Sequence, residues 1–209
     1  MRAAPATLLL ILAAAGAARA DDYAAAMRLF HAKQYAEARP RLTALAAAGD
    51  TRSYLTLGML YEQGLGVLED LHHAAAWYLR AAQAGDPSAM YNLAVLHHFG
   101  GGVAKDLTEA AHWFRLAAER GHQSAQNRLA TMYLQGDGVG VDPVAALAWM
   151  TLAGNELRGA GKTLHLAKRD AMASAMTPAQ VAAAEARVRD WRPAAGPPEA
   201  RTAEAAGVR

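Results

Sequence analysis

One spacing constrains this chain more than anything else in it: a set of residue types recurs every 36 positions, three times over. Leu57, Leu93 and Leu129 obey it, as do Gly64, Gly100 and Gly136, and Gly66, Gly102 and Gly138. Val67, Val103 and Val139 follow, then Asp70, Asp106 and Asp142, and Ala74, Ala110 and Ala146. Trp77, Trp113 and Trp149, with Ala81, Ala117 and Ala153, complete the unit, and no insertion is needed to hold the register. A period of this length marks a supersecondary unit that cannot bury its apolar face alone and must stack on its copies.

Each unit parses as two helices. The first starts after Gly49-Asp50 or Gly85-Asp86-Pro87, where aspartate can cap free N–H groups and proline fits the first turn. Tyr54, Leu57, Gly58 and Tyr61 then share one helical face, and the small residues Gly58, Ala94 and Ala130 admit a close neighbour. Gly64-Leu65-Gly66-Val67 ends that helix, since glycine adopts the left-handed conformation of a helix stop. Asp70, Asp106 and Asp142 cap the second helix, with Pro143 in its first turn and Glu109 placed for a capping box on Asp106. Ala74, Trp77, Tyr78, Ala81 and Ala82 give that helix an apolar stripe, with the three tryptophans assigned to the core. Loops this short force antiparallel neighbours, and no segment alternates strongly enough to read as a strand.

The string Leu57-Gly58-x-x-Tyr61-x-x-Gly64-x-Gly66-Val67-x-x-Asp70-x-x-x-Ala74-x-x-Trp77-Tyr78-x-x-Ala81-Ala82-x-x-Gly85 resembles the Sel1-like repeat. That family is a branch of the tetratricopeptide superfamily with a longer, glycine-bearing interhelical loop. The resemblance implies an all-α fold, an α-solenoid of antiparallel helix pairs wound as a right-handed superhelix. It also implies a protein that holds partners rather than turning over substrates. His97 and Gln126 depart from the tyrosines of neighbouring units, Met150 stands in the Tyr78 slot, and Leu157 replaces the closing glycine.

The organisation expected from these features has five parts. Residues 1–20 read as a cleavable signal peptide: Arg2, an apolar run from Ala6 to Ala18, then Ala18-Arg19-Ala20 before Asp21-Asp22. The run is shorter than the roughly 20 apolar residues that a bilayer core needs, so no membrane span is expected after cleavage. Residues 21–49 read as a degenerate tetratricopeptide-like unit, 50–157 as three Sel1-like repeats, 158–192 as a capping helix pair and 193–209 as a disordered tail. In the cap, Thr177-Pro178-Ala179-Gln180 forms a capping box and Val181, Ala184, Val188 and Trp191 one stripe. The signal predicts an exported protein, periplasmic or secreted, of a Gram-negative bacterium. Loss of Arg2 and Arg19 with it reduces 21 basic residues to the number of acidic ones, 19. No clustered basic face remains, which argues against nucleic acid. With no cysteine anywhere, neither disulfides nor thiol catalysis are available.

Few chemical motifs compete with this reading. Gly159-Ala160-Gly161-Lys162-Thr163 ends like a phosphate loop, but Glu156 stands where that motif needs glycine and a helix precedes it; Thr163 is expected to cap the next helix. His72-His73, His97-His98, His112 and His122 invite a metal, yet no pair has the spacing of three or four that one helix face requires. A site would have to join His73 to His97 between units. No serine lies in a nucleophile elbow, so neither cofactor, metal nor catalytic residue is assigned. What remains is surface. First helices line the concave side of such a stack, and their outward positions are Arg52, Leu55, Met59 and Glu62; Ser88, Tyr91, Val95, His98 and Phe99; Asn127, Thr131 and Leu134. Leu55, Met59, Tyr91, Val95 and Phe99 form an apolar strip suited to a protein or peptide partner. The competing class is a cell-wall enzyme or ligand-binding protein for peptidoglycan or β-lactams, an association of cysteine-rich exported relatives whose disulfides this chain lacks. It would need convergent polar groups in the groove.

Overall fold

The computed structural model describes residues 21–155 and 157–196. Ten helices run through them, and no strand occurs among the described residues. They are α1 (21–31), α2 (Tyr35–Ala47), α3 (Arg52–Glu62), α4 (Leu71–Gln83), α5 (Pro87–Phe99), α6 (Leu107–Glu119), α7 (Gln123–Gln135), α8 (Pro143–Gly154), α9 (Gly159–Ser174) and α10 (Pro178–Asp190). From α2 to α8 each helix packs on its neighbours in sequence, giving an all-α solenoid of antiparallel pairs.

Aspartate caps four of these helices, α4, α5, α6 and α8. Asp86 Oδ1 accepts from the backbone N–H groups of Ser88 and Ala89 at 2.8 and 2.9 Å, Asp106 from Glu109 at 2.9 Å and Asp142 from Ala145 at 2.9 Å. Each satisfies donors that a helix start leaves free. The second-helix caps also close the loop before them. The backbone N–H of Asp70, Asp106 and Asp142 donates to the carbonyl of Tyr61, His97 and Tyr133 at 2.9, 2.9 and 3.0 Å. One residue therefore fixes both the end of the loop and the start of the helix.

The second loop glycine has a further task. Gly66, Gly102 and Gly138 have φ of 67°, 69° and 67°, a region costly for residues with a Cβ. A Cβ on Gly102 would lie 2.2 Å from the Leu71 carbonyl, and one on Gly138 2.0 Å from the Leu107 oxygen. On Gly66 it would meet the Ala36 nitrogen at 2.7 Å. Each loop thus presses its backbone onto the start of the previous unit's second helix. The repeat of glycine is an inter-unit contact as well as a turn.

The core is a ribbon. Its largest cluster runs from Ala74 to Met132 and contains Tyr78, Leu93, Trp113, Phe114 and Leu129, all buried. A second, including Leu42 and Leu57, joins α1 to α3. At the C-terminal end only Leu147, Ala148 and Ala184 are buried together. Trp113 is fully buried, whereas Trp77 and Trp149 are half-buried.

The C-terminal region differs from the expected cap. Its two helices form, and the Thr177–Gln180 capping box is present, but α9 and α10 scarcely pack on each other. Instead α10 lies on α8, as α5 lies on α4 and α7 on α6. The reason is in the residues: α9 buries none of its side chains, while α10 offers Val181, Ala184 and Val188 to α8. Trp191 falls outside the stripe expected of it, because it is the extended C-cap residue of α10, with ψ of 136°. Thr163 caps nothing. The helix begins at Gly159 and takes in Gly161-Lys162-Thr163, since Ala160, Lys162 and Leu164 favour helix and no loop is left to hold a phosphate. The expected tail starts as a docked segment: Ala194 N donates to the Glu119 carbonyl at 2.7 Å, and Arg120 Nη2 to the Gly196 carbonyl at 3.0 Å. The rest of that tail, and the signal segment 1–20, lie outside the described residues.

Candidate functional site

The outward positions of α3 are largely engaged by the protein itself. Arg52 is exposed but tied down: its Nε donates to Asp50 Oδ1 at 2.9 Å and its Nη2 to Oδ2 at 2.5 Å, while the guanidinium lies 4.5 Å from the Tyr23 ring centre. The hydrogen bond to Asp50 is the main reason that its pKa is raised. Glu62 accepts the Tyr78 hydroxyl at 2.7 Å. Burial first, and then this bond, push the Tyr78 phenol far above the usual tyrosine range. Leu55 and Met59 are half-buried and pack against the central cluster.

On α5 the strip divides. Val95 packs inward against the same cluster. Tyr91 is half-buried, stacked on His122 with ring centres 4.7 Å apart and 5.5 Å from Phe114. Ser88 sits in the first turn, its N–H held by Asp86. His98 meets Phe99 edge to face at 4.7 Å. Phe99 alone of the five apolar strip residues stands clear, with 66% of its surface exposed. On α7 the hydroxyl of Thr131 is turned back onto the Asn127 carbonyl at 3.1 Å, and Leu134 is 40% exposed. Phe99 and Leu134 are therefore the exposed large apolar side chains among these positions, near the ends of successive first helices.

The histidines are drawn into structural work. His73 Nδ1 lies 2.7 Å from Asp70 Oδ2 and its ring stacks on Tyr61 at 5.1 Å. The His73 backbone N–H, then its ring, hold the Asp70 carboxyl below the usual range. His97, in the tyrosine slot, is 2% exposed and lies in the core, while His73 is an exposed residue on α4. His122 caps α7 by accepting the Ala125 N–H at 3.2 Å on Nδ1. That role requires a neutral ring, and burial lowers the His122 pKa accordingly. Among the described residues no three His, Cys, Asp or Glu side chains gather as a metal set.

A second surface went unread in the sequence. Trp191 lines two cavities, one of about 140 Å³ with Gly121, Gln123 and Gln126, the other of about 190 Å³ with Tyr133, Trp149 and Arg187. Arg187 Nη1 pairs with Asp142 Oδ2 at 3.2 Å. Burial opposes ionisation of Asp142, but the Ala145 N–H and the Arg187 guanidinium prevail and keep its carboxyl below the usual range. The available signal was a tryptophan followed by Arg192-Pro193, a place where a helix must end.

The Sel1 repeat pattern matches residues 52–86, 87–122 and 123–156, which together make half of the chain. Among solved structures the chain is similar to a Sel1 repeat protein from Oxalobacter formigenes, at 32% identity and a TM-score of 0.60, over 62% of this chain and 54% of that one. It is also similar to c5321, a protective antigen of uropathogenic Escherichia coli displaying an SLR fold, at 26% identity and a TM-score of 0.47, over 74% of this chain and 40% of that one. The chain thus spans about half the length of the first protein and two fifths of the second. No curated protein matches it.

Proposed function

Because this chain belongs to the Sel1 repeat family, whose repeats generally mediate protein–protein interaction, we propose that it is a non-catalytic scaffold of the bacterial cell envelope that binds a protein or peptide along its first-helix face. The observation that carries this reading is the exposure of Phe99 and Leu134, 66% and 40%, at the ends of successive first helices. Around them Tyr91, Val95, Leu55 and Met59 are half-buried and pack against the core. A preformed surface loses little conformational freedom on binding, so modest contact area suffices. Export rests on the apolar run Ala6–Ala18 and the small residues at Ala18 and Ala20. No helix among the described residues is long and apolar enough to cross a membrane.

The test places a photo-crosslinking amino acid at position 99, at 134 or at Arg115 on a second helix, in cells producing the full chain. Positions 99 and 134 are expected to capture one common protein, and the Phe99→Glu, Leu134→Glu double variant to lose it. Equal capture from Arg115 would refute the assignment of the face. The mass of the mature chain tests export separately: it should begin at Asp21.

A further inference from the structure

The helices of the C-terminal region are held by a different kind of contact from those of the repeats. Between α4 and α7 whole side chains such as Tyr78, Trp113 and Phe114 are removed from solvent. By contrast α10 buries only Ala184, and α9 buries nothing. A cavity of about 210 Å³ separates α8 from α9 and α10, and the two cavities beside Trp191 leave its ring loosely seated. Close packing is where dispersion and burial energies come from, so this contact is looser than those between α4 and α7. Its polar anchors are peripheral: Arg187 to Asp142, with side chains 53% and 37% exposed, the Ala194 N–H to the Glu119 carbonyl, and Arg120 to the Gly196 carbonyl.

The docked segment is nevertheless complementary to what it covers. Val181 and Ala184 lie over Leu147 and Thr151, Arg187 reaches the start of α8, and the chain then runs back to the end of α6. It is joined to the repeats through α9, sixteen residues and about 24 Å long, tethered by His165 Nε2 at 2.7 Å from the Met150 carbonyl. An arm of that length, carrying a complementary segment on a weak seat, has the parts needed for exchange between molecules.

We infer that the side of α8 covered by α10 is an exchangeable docking site whose partner is a second copy of this chain: the segment 177–196, seated here on its own α8, seats on the α8 of another molecule. The contacts in trans are those already made in cis, so no new complementarity is needed. Reciprocal exchange closes a two-fold dimer and leaves no free face for further growth. The tether holds the segment at an effective concentration in the millimolar range, so the closed monomer prevails in dilute solution and exchange appears on concentration. This surface is separate from Phe99 and Leu134, and the inference stands independently of the function proposed above.

The chain has no cysteine, so single thiols can be placed cleanly. Two full-length forms of different mass, one Asp142→Cys and one Arg187→Cys, are mixed and treated with a short bismaleimide. A single chain carrying both substitutions is the cis control. A second pair, Thr151→Cys and Val181→Cys, keeps the Asp142 cap intact. The double-substituted chain should crosslink internally when dilute. The mixed sample should give heterodimer that rises tenfold or more between about 10 µM and about 1 mM, well above the homodimers of either form. Heterodimer no more frequent than homodimer would overturn the inference, as would its absence at every concentration in both pairs, or failure of both cis controls.

Discussion

Helices α3 and α4 approach closely over Gly58, which faces the Tyr78 ring. A Cβ built there would lie 2.4 Å from Tyr78 Cε1 and 2.5 Å from Cδ1, and the Tyr78 ring is fully buried with its hydroxyl fixed on Glu62. Replacing glycine by alanine inside a helix is worth about 1 kcal/mol in favour of the variant. Forcing a methyl group into a packed site costs about 1–3 kcal/mol. Moving the ring also strains a hydrogen bond to a carboxylate, worth about 1.5 kcal/mol for a half-exposed acceptor. The steric and polar losses outweigh the helical gain, and Gly58→Ala is expected to destabilise by about 1–3 kcal/mol, a fall in Tm of about 3–10 °C. The second unit shows what relieves the conflict: Ala94 and Phe114 stand in the Gly58 and Tyr78 slots, and both are buried. Without the hydroxyl the ring is free to withdraw, so Gly58→Ala with Tyr78→Phe should cost at least about 1 kcal/mol less than the sum of the single variants. Thermal and urea unfolding followed by circular dichroism measure all four corners of this cycle. A Gly58→Ala protein as stable as the parent, or strict additivity, would refute the reasoning.

Gly102→Ala should cost about 3 kcal/mol or more, from a left-handed φ plus a clash with the Leu71 backbone. Gly140→Ala, with open space around it, should change stability by less than about 0.5 kcal/mol in the same unfolding assay. His122 is held neutral by burial with its pKa lowered, so the unfolded chain binds the extra proton. Stability should be full above about pH 6.5 and fall as the pH drops from there towards the folded pKa. His122→Asp, which restores the cap used at Asp86, should flatten that dependence, and an unchanged slope would remove His122 as its source. Asp142→Ala takes away both a helix cap and the Arg187 partner and should cost about 1 kcal/mol. Arg187→Ala loses only an exposed pair and should cost a few tenths, about 0.3 kcal/mol; equal losses would contradict this ranking.

The 36-residue spacing made the helix pairs, their caps and their antiparallel order legible, because each is a local requirement met again in every unit. Asp70, Asp106 and Asp142 illustrate it: residue type and position alone identify a cap. The reason for Gly66, Gly102 and Gly138 was only half legible. Left-handed turns are a local property, but the contact of Gly102 with Leu71 joins residues of different units and has no sequence signature. The same limit hid the ties of the candidate face. That Glu62 holds Tyr78, and that Tyr91 stacks on His122, depend on rotamers and helix separation rather than on spacing. At the C-terminus the pattern misled, since α9 has helical residues and no buried side chain. Helix propensity placed it, and propensity says nothing about what a helix packs against.

A position that keeps one residue through three units answers a demand that every unit makes. The outward slots of the first helices do the opposite: Arg52, Ser88 and Ser124 share one, Leu55, Tyr91 and Asn127 another, then Met59, Val95 and Thr131, and Glu62, His98 and Leu134. Change of chemistry from unit to unit is expected of a surface that presents different groups along one axis, but it is equally expected where each unit solves a private packing problem. The structure separates these cases. Arg52 is accounted for by Asp50 and Tyr23, Glu62 by Tyr78, Tyr91 by His122 and Phe114, and Thr131 by its own helix. Such residues vary because their neighbours do. Phe99 and Leu134 differ in being exposed and apolar, Phe99 meeting only the edge of the neighbouring His98 ring among the aromatic contacts. A charge placed at Tyr91 would therefore report mainly on folding, whereas one placed at Phe99 or Leu134 leaves the packed ribbon alone and reports on what the surface holds.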